Sequence, residues 1–113
     1  MNIENISIKT GNELMSLLNN SEKKKKVGEI VIEEGCGNDL RIDLKICGMD
    51  NLKKLTVKKN SLKNLKSLVV SNNENLENID IENEKGEKDQ KEDGYEYSAA
   101  FENVKSVELS SII

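Results

Sequence analysis

The middle of the chain contains the stretch Leu52-Lys53-Lys54-Leu55-Thr56-Val57-Lys58-Lys59-Asn60, with apolar residues at its first, fourth and sixth positions and asparagine at its end. The same order returns at Leu65-Lys66-Ser67-Leu68-Val69-Val70-Ser71-Asn72-Asn73. Such alternation is typical of a short strand with one buried face, because successive side chains of a strand point to opposite sides. We therefore predict strands here, with Leu55 and Val57 directed inward and Thr56 directed to solvent.

The apolar triplet of these stretches recurs along the chain. It is found at Ile3/Ile6/Ile8, Val27/Ile30/Ile32, Leu52/Leu55/Val57, Leu76/Ile79/Ile81 and Val104/Val107/Leu109. The middle members fall at positions 6, 30, 55, 79 and 107, so the first three steps are almost equal and only the last is longer. One unit of this length cannot bury its own apolar face, whereas stacked copies bury each other's. The repeat therefore predicts a ladder of strands to which all five triplets contribute.

A second set of apolar alternations lies roughly midway between the triplets, at Leu44/Ile46, Leu65/Leu68/Val70 and Tyr95/Tyr97. Each repeat is thus expected to contain two short extended pieces. The first repeat differs, because residues 13–18 carry apolar side chains at helical spacing after Asn12, which could cap a helix. We predict one short helix near the N-terminus.

Two asparagines, Asn60 and Asn73, each follow the middle apolar residue of their stretch by five positions. An inward-turned asparagine offers two donors and an acceptor, which is enough to satisfy backbone groups where a strand bends away from water. We predict this role for both side chains.

Residues 83–94 are rich in charge and poor in apolar side chains. They lie in the long interval between triplets, where an inserted loop is expected, so we predict a flexible acidic insert. A calcium loop would need oxygen ligands at alternating positions around a glycine turn. Lys85, Lys88 and Lys91 interrupt that pattern.

The two quoted stretches resemble the leucine-rich repeat family, whose phrase LxxLxLxxN fits residues 52–60 and 65–73 when valine replaces leucine. Residues 100–109 also resemble the Ala-Phe-containing repeats of the surface-antigen-type members of that family. The likeness covers most of the chain except the helix-like stretch and residues 82–96. It implies a mainly β, right-handed solenoid of four to five repeats in a single domain, residues 1–113. In such a fold the parallel-strand face binds another protein, and the family brings no catalytic residues.

The charge of the chain bears on its partners. The formal net charge is −4, from 17 basic and 21 acidic residues, which disfavours non-specific binding to nucleic acid or to a membrane surface. The run Lys23–Lys26 is predicted to be a solvated loop before the strand near Val27. The lysine-rich stretch from Lys45 to Lys66 leaves a weak anion or nucleic-acid binder as an alternative function.

The residue types that most catalytic and metal sites need are scarce. Histidine is absent from the sequence, and Cys36 and Cys47 are its two cysteines, so neither a zinc site nor a nucleophile–base pair is expected. Cys36 has no basic residue beside it in the sequence, whereas Glu34 and Asp39 would raise its pKa. We predict that the protein is not an enzyme and that it uses no cofactor and no metal.

The sequence also indicates a cellular setting. No apolar segment approaches the length that crosses a bilayer, and the polar start, residues 1–5, is not a secretion signal. We expect a cytoplasmic, reducing setting, in which buried thiols are favoured over a disulfide.

Side chains that point outward from the main ladder form the candidate partner-binding surface of a non-catalytic protein–protein interaction module. Lys54 and Lys58 flank Thr56 on this side, and Val31 is expected to be exposed although it is apolar. The residues that we assign to partner binding are Ser7, Val31, Thr56, Lys58, Asp80, Glu82 and Glu108, flanked by Lys9, Glu33 and Ser110.

The last residues suggest an alternative. Residues 109–113 remain apolar, although the ends of repeat arrays normally carry a polar closing element. Either the chain is a fragment of a longer array, or two copies meet there and cover each other. A structural or self-assembling repeat unit is therefore the alternative to a module that binds another protein.

Overall fold

The computed structural model describes residues 3–82 completely and, beyond them, the backbone of residues 88–89 and 107–109. The elements in chain order are β1 (Glu4–Ile8), α1 (Gly11–Leu18), α2 (Ser21–Lys24), β2 (Val27–Ile32), β3 (Asp43–Ile46), β4 (Lys54–Val57), β5 (Ser67–Val70), β6 (Asn78–Glu82), β7 (Lys88–Asp89) and β8 (Val107–Leu109).

The strands form two sheets, one in the order β1-β2-β4-β6-β7 and the other in the order β3-β5-β8. From β2 to β6 the chain places successive strands alternately in the first and the second sheet. All neighbouring strands pair parallel except β6 and β7, which pair antiparallel. The prediction of a mainly β fold with parallel strands and little helix is thus confirmed.

The register aligns the predicted apolar positions of the first four triplets. Ile6, Ile30, Leu55 and Ile79 lie side by side across the first sheet, and the next inward column consists of Ile8, Ile32, Val57 and Ile81. In the second sheet, Leu44 pairs with Leu68 and Ile46 with Val70. These side chains belong to one continuous hydrophobic core, to which both sheets contribute. The interval between successive triplets in the sequence therefore corresponds to one step across the sheet.

The fifth triplet does not continue this ladder. Val107 lies beside Leu68 and Glu108 beside Val69, so β8 extends the second sheet, whereas β6 is followed in its own sheet by β7. The prediction that all five triplets share one ladder is therefore wrong for the last. The physical reason is that both sheets require the same inward alternation, so a Val-x-Leu pattern fits either one.

Two helices occupy the described part of the first repeat, where one was predicted. Helix α1 is capped by Thr10, whose Oγ1 accepts from the Glu13 amide at 3.1 Å, so Asn12 is not the cap. Leu14 and Leu17 of α1 are buried in the core. The short helix α2 follows, with Asn20 as its cap, and it includes the first two of the four consecutive lysines. The prediction of a loop across the whole lysine run is thus wrong in part.

The inward role predicted for asparagine is confirmed at Asn73. Its side chain is fully buried, its Oδ1 accepts from the Met49 amide at 3.0 Å, and its Nδ2 donates to the Ile46 carbonyl at 2.9 Å. Both backbone groups belong to the preceding repeat. The bonds therefore join two repeats at a place from which water is excluded.

The same prediction is wrong for Asn60, which adopts a left-handed backbone with φ 61° and offers its carbonyl instead. Asn38 performs the bridging role at this corner. Its Nδ2 donates to the Asn60 carbonyl at 2.9 Å and its Oδ1 accepts from the Lys63 amide at 3.0 Å. Asn38 belongs to neither LxxLxLxxN stretch, so the repeat phrase gave no signal for it.

Other asparagines connect neighbouring repeats at a further corner. Asn51 donates to the Lys25 carbonyl and Asn75 to the Asp50 carbonyl, each at 2.6 Å. The interval between the two asparagines in the sequence equals the interval between the strands that they precede, β4 and β6. The polar corners therefore repeat with the same period as the core.

Some predictions fall on residues outside those described. They concern the strand at Tyr95/Tyr97, the apolar end at residues 109–113 beyond the backbone of Leu109, and the insert at residues 83–94 apart from the backbone of β7.

Replacing Asn73 with alanine should reduce the free energy of unfolding by about 1–3 kcal/mol, because it leaves the buried Met49 amide without a partner. The Ile46 carbonyl loses one of its two hydrogen bonds and keeps the one from the Ser71 amide. Urea denaturation followed by circular dichroism would measure the change. Asn75→Ala is the matched control, since it removes one exposed side chain that bonds to a single carbonyl. Equal losses for the two variants would contradict the assigned role of Asn73.

Candidate functional site

The face of the first sheet that points away from the core presents three columns of side chains. The register of β1, β2, β4 and β6 defines them. The columns are Asn5/Glu29/Lys54/Asn78, Ser7/Val31/Thr56/Asp80, and, directly after the inward positions of the strands, Lys9/Glu33/Lys58/Glu82. We call this surface the strand face.

Six of the seven residues predicted to bind a partner come together on the strand face. They are Ser7, Val31, Thr56, Lys58, Asp80 and Glu82. Glu108 does not join them, because its strand extends the second sheet and pairs it with Val69. Its assignment to the same surface is therefore wrong. Of the flanking residues, Ser110 lies outside those described.

The central column is less open than alternation predicts. Ser7 is exposed and Val31 is half-buried, whereas Thr56 is only 5% exposed and Asp80 only 2%. The predictions that Thr56 points to solvent and that Val31 is exposed are therefore wrong. Alternation predicts the side of the sheet on which a side chain lies. It does not predict how far neighbouring side chains on that side cover it from solvent.

Lys54 contributes to this cover. Its Nζ lies 3.5 Å from Oδ2 of Asp80, so the alkyl chain of Lys54 extends along the outward face of the sheet toward β6. The contact joins a partly exposed ammonium group to a carboxylate that is almost completely buried. A charge reversal at Asp80 would therefore disturb the fold and would not test a free surface.

The third column alternates in charge from strand to strand as Lys9, Glu33, Lys58 and Glu82. Glu33 accepts a short hydrogen bond from the Ser7 hydroxyl, and its other oxygen lies 3.0 Å from the Lys58 ammonium. The Ser7 hydrogen bond and then Lys58 lower the pKa of Glu33, and Lys9 adds to this effect. The column is thus a ladder of opposite charges placed opposite each other across parallel strands.

Two further contacts continue the network. The hydrogen bond with Glu33 raises the pKa of Lys58, with smaller contributions from Glu82 and Glu34. Glu82 accepts from the Lys59 amide at 3.1 Å, and the Lys59 ammonium lies 3.7 Å from Glu34. The charged rim of the strand face is therefore largely paired within the protein.

A hollow of about 400 Å³ lies at the start of the strands, lined by Ile3, Asn5, Gly28 and residues of β2, β4 and the turn before β4. Ile3 is 49% exposed. Among the described residues it is the one large apolar side chain that is exposed. A Cβ at Gly28 would lie 2.5 Å from Cγ2 of Ile3, so the glycine allows Ile3 to rest on the backbone of β2. An exposed apolar side chain, which was predicted at Val31, is thus found at Ile3 instead.

Cys36 and Cys47 are both free, and Cys36 is buried whereas Cys47 is half-buried. Burial raises the pKa of the Cys36 thiol to about 11, and the carboxylates of Glu13, Asp39 and Glu33 add to the shift. The predicted influence of Asp39 is therefore present, whereas Glu33 acts in place of the predicted Glu34. At neutral pH the Cys36 thiol is protonated and a poor nucleophile.

Within residues 3–82, no group of three or more histidine, cysteine, aspartate or glutamate side chains is placed to hold a metal ion. No helix in the described part of the chain is both long and apolar enough to cross a membrane.

No protein-family model, curated protein or solved structure matches this chain at a significant level. The interpretation of the strand face therefore depends on its own geometry and chemistry.

Glu33→Gln should lower the urea midpoint of unfolding at neutral pH, because it removes the carboxylate that Ser7 and Lys58 stabilise. The pKa of Glu33 in the folded protein lies below its ordinary value of 4.5. Its contribution to stability is therefore fully present above that value and is lost as the pH falls through the folded-state pKa. The difference between the variant and the parent should close as the pH falls through the folded-state pKa, which urea titrations at a series of pH values from neutral into acid would measure.

Glu34→Gln provides the control for this experiment. It also removes one carboxylate charge, but the Glu34 carboxylate is more exposed and lies 3.7 Å from the Lys59 ammonium, farther than Glu33 lies from Lys58. We expect a smaller change at neutral pH. A deficit of Glu33→Gln that is the same at every pH would argue against the ion-pair explanation.

Iodoacetamide at about pH 8 should modify Cys47 much faster than Cys36 in the folded protein, because the Cys36 thiol is buried and protonated there. Peptide mass spectrometry would quantify both sites. Unfolding in urea should make the two rates similar. Rapid modification of Cys36 without unfolding would disprove the assigned burial.

Proposed function

We propose that this protein is a short repeat solenoid of the leucine-rich type, and that its strand face binds another protein. Two features support the solenoid. The chain alternates between two sheets of parallel strands, and within residues 3–82 neighbouring strands of each sheet follow one another at a nearly constant interval of sequence. The LxxLxLxxN stretches supply the inward residues of β4 and β5.

The observation on which the binding function depends is the register of the strand face. Parallel strands hold its three columns at the fixed spacing of a sheet, about 4.8 Å from strand to strand. The Ser7–Glu33–Lys58 and Lys54–Asp80 contacts fix the orientation of the polar side chains. Such a surface loses little conformational entropy when a partner docks, which favours recognition of a folded protein.

The alternative of an anion-binding function has less support. In the lysine-rich middle of the chain, Lys54, Lys58 and Lys59 each contact a carboxylate of this protein. A phosphate would have to compete with these carboxylates for the same ammonium groups. The pairing thus favours a protein partner over a polyanion.

A pair of matched substitutions tests the proposal. Val31 and Val69 are both half-buried, both lie within a parallel strand, and they belong to the outward faces of the first and second sheets respectively. Partners captured from a lysate of the source cells on the immobilised parent chain would first be identified, and each would be purified. Val31→Arg should then weaken binding by at least about tenfold, because it places a charge in the middle of the strand face.

Val69→Arg is expected to leave that affinity within about twofold, since it alters the other sheet. Calorimetric titration of the purified partner would measure both affinities, with circular dichroism to verify that both variants are folded. Loss of binding for Val69→Arg alone would exclude the strand face. Equal loss for both variants would also contradict the proposal.

A further inference from the structure

Among the residues that the structure describes, strand β1 has one hydrogen-bonded neighbour, β2, and forms an outer edge of the first sheet. The Ile8 carbonyl accepts from the Glu33 amide, so the even-numbered residues of β1 direct their backbone groups to β2. In a parallel pair the intervening residues turn their N–H and C=O groups the other way. The backbone groups of Asn5 and Ser7 therefore face the open edge of the sheet.

A cleft of about 350 Å³ runs between this edge and helix α1. Its apolar part consists of Ile6, Ile8 and Leu17, of which Ile6 is only half-buried. Proteins generally cover or block a strand edge that offers unpaired backbone groups, because it can pair with another strand. At the other end of the same sheet, the antiparallel strand β7 pairs with β6.

Two charged side chains of opposite sign, Glu13 and Lys23, line the cleft. Helix α1 begins shortly after β1 ends and returns beside it, so Glu13 lies next to the end of β1. Lys23 lies next to the start of β1, where it shares a second hollow with Glu4. Neither Glu13 nor Lys23 forms an ion pair with the residues that the structure describes. The Glu13 carboxylate has a long contact of 3.4 Å with the Thr10 hydroxyl.

We propose that the ligand of this edge is a second copy of the chain, with the two β1 strands antiparallel about a twofold axis at Ser7. This operation reverses the direction of β1 and hence exchanges the two ends of the cleft. Glu13 of each copy then meets Lys23 of the other, and Ile6 lies opposite Ile8 of the other copy. The edge is thus self-complementary in hydrogen bonding, apolar contact and charge, and the dimer is closed to further growth at this edge.

Charge variants test the pairing that the twofold axis requires. Sedimentation velocity over a range from low micromolar to near-millimolar protein should show a monomer–dimer equilibrium for the parent. Glu13→Lys and Lys23→Glu, each alone, should weaken dimerisation by roughly tenfold, because two attractive contacts become two repulsive ones. An equimolar mixture of the two variants should associate as the parent does, since every contact in the mixed dimer again joins opposite charges.

Lys25→Glu is the matched control, because Lys25 is an exposed neighbour of the cleft that does not line it. It should leave association unchanged. A parent that stays monomeric throughout the range overturns the proposal. A dimer that neither single variant weakens, or that the mixture fails to restore, overturns it as well.

A second variant tests the strand edge independently of charge. Ser7→Pro removes an N–H that points away from β2, so the backbone pairing of β1 with β2 should persist while docking on the open edge is blocked. Ser7→Ala is its control, because it removes the same hydroxyl that donates to Glu33 but keeps the N–H, and it should dimerise like the parent. We expect a folded monomer by circular dichroism and sedimentation. A folded Ser7→Pro dimer would contradict the proposal, and the charge variants decide it if the proline variant fails to fold. Val31→Arg should dimerise like the parent, which separates this inference from the proposed binding of another protein.

Discussion

The alignment of apolar side chains across parallel strands is the constraint on which the rest of this structure depends. Ile30 and Leu55 are at most 1% exposed, and Ile79, which follows them in the column, is 4% exposed. Each such side chain contributes about 1.5–3 kcal/mol when it is fully buried. A slip of a single position in any strand would turn these side chains to the other face of the sheet, so the period of the triplets fixes the register of every polar contact described above.

The polar corners follow from this alignment. Where the chain leaves one sheet for the other, its backbone enters a region closed to water, and the amide and carbonyl groups there need partners from side chains. Asn73 and Asn38 supply both a donor and an acceptor at such places. Left-handed backbone at Asn60 and Asn72 allows the chain to turn without glycine. The sequence contains no proline, a residue that has no backbone N–H to donate. This agrees with the many backbone N–H groups that donate hydrogen bonds in the strands and corners.

The sequence predicted what depends on local periodicity and failed where long-range packing decides. The apolar columns, the strands at residues 44–46 and 67–70 and the role of Asn73 followed from spacing and residue type, whereas the parallel pairing followed from the family resemblance. The sheet of β8 did not, because the inward alternation of Val107 and Leu109 suits both sheets equally. The burial of Thr56 and Asp80 could not be predicted from alternation, since it depends on the side chains of neighbouring strands. Lys54 of β4, for example, contacts Asp80 of the adjacent strand β6. Asn38 was missed because it lies outside both LxxLxLxxN stretches, which supplied the signal for Asn73.

The strand face and the β1 edge present two different kinds of surface to a partner. On the strand face the charges of Glu33 and Lys58 already satisfy each other, so an approaching charge gains little and must displace an existing contact. Affinity there has to come from shape and from apolar contacts such as Ile3 and Val31. At the β1 edge the backbone groups of Ser7 face away from β2, and a hydrogen bond formed there would break none of those found among the described residues. In the proposed dimer, specificity for a second copy comes from the order of Glu13 and Lys23 along the cleft, because only an antiparallel partner with the same order matches both ends at once.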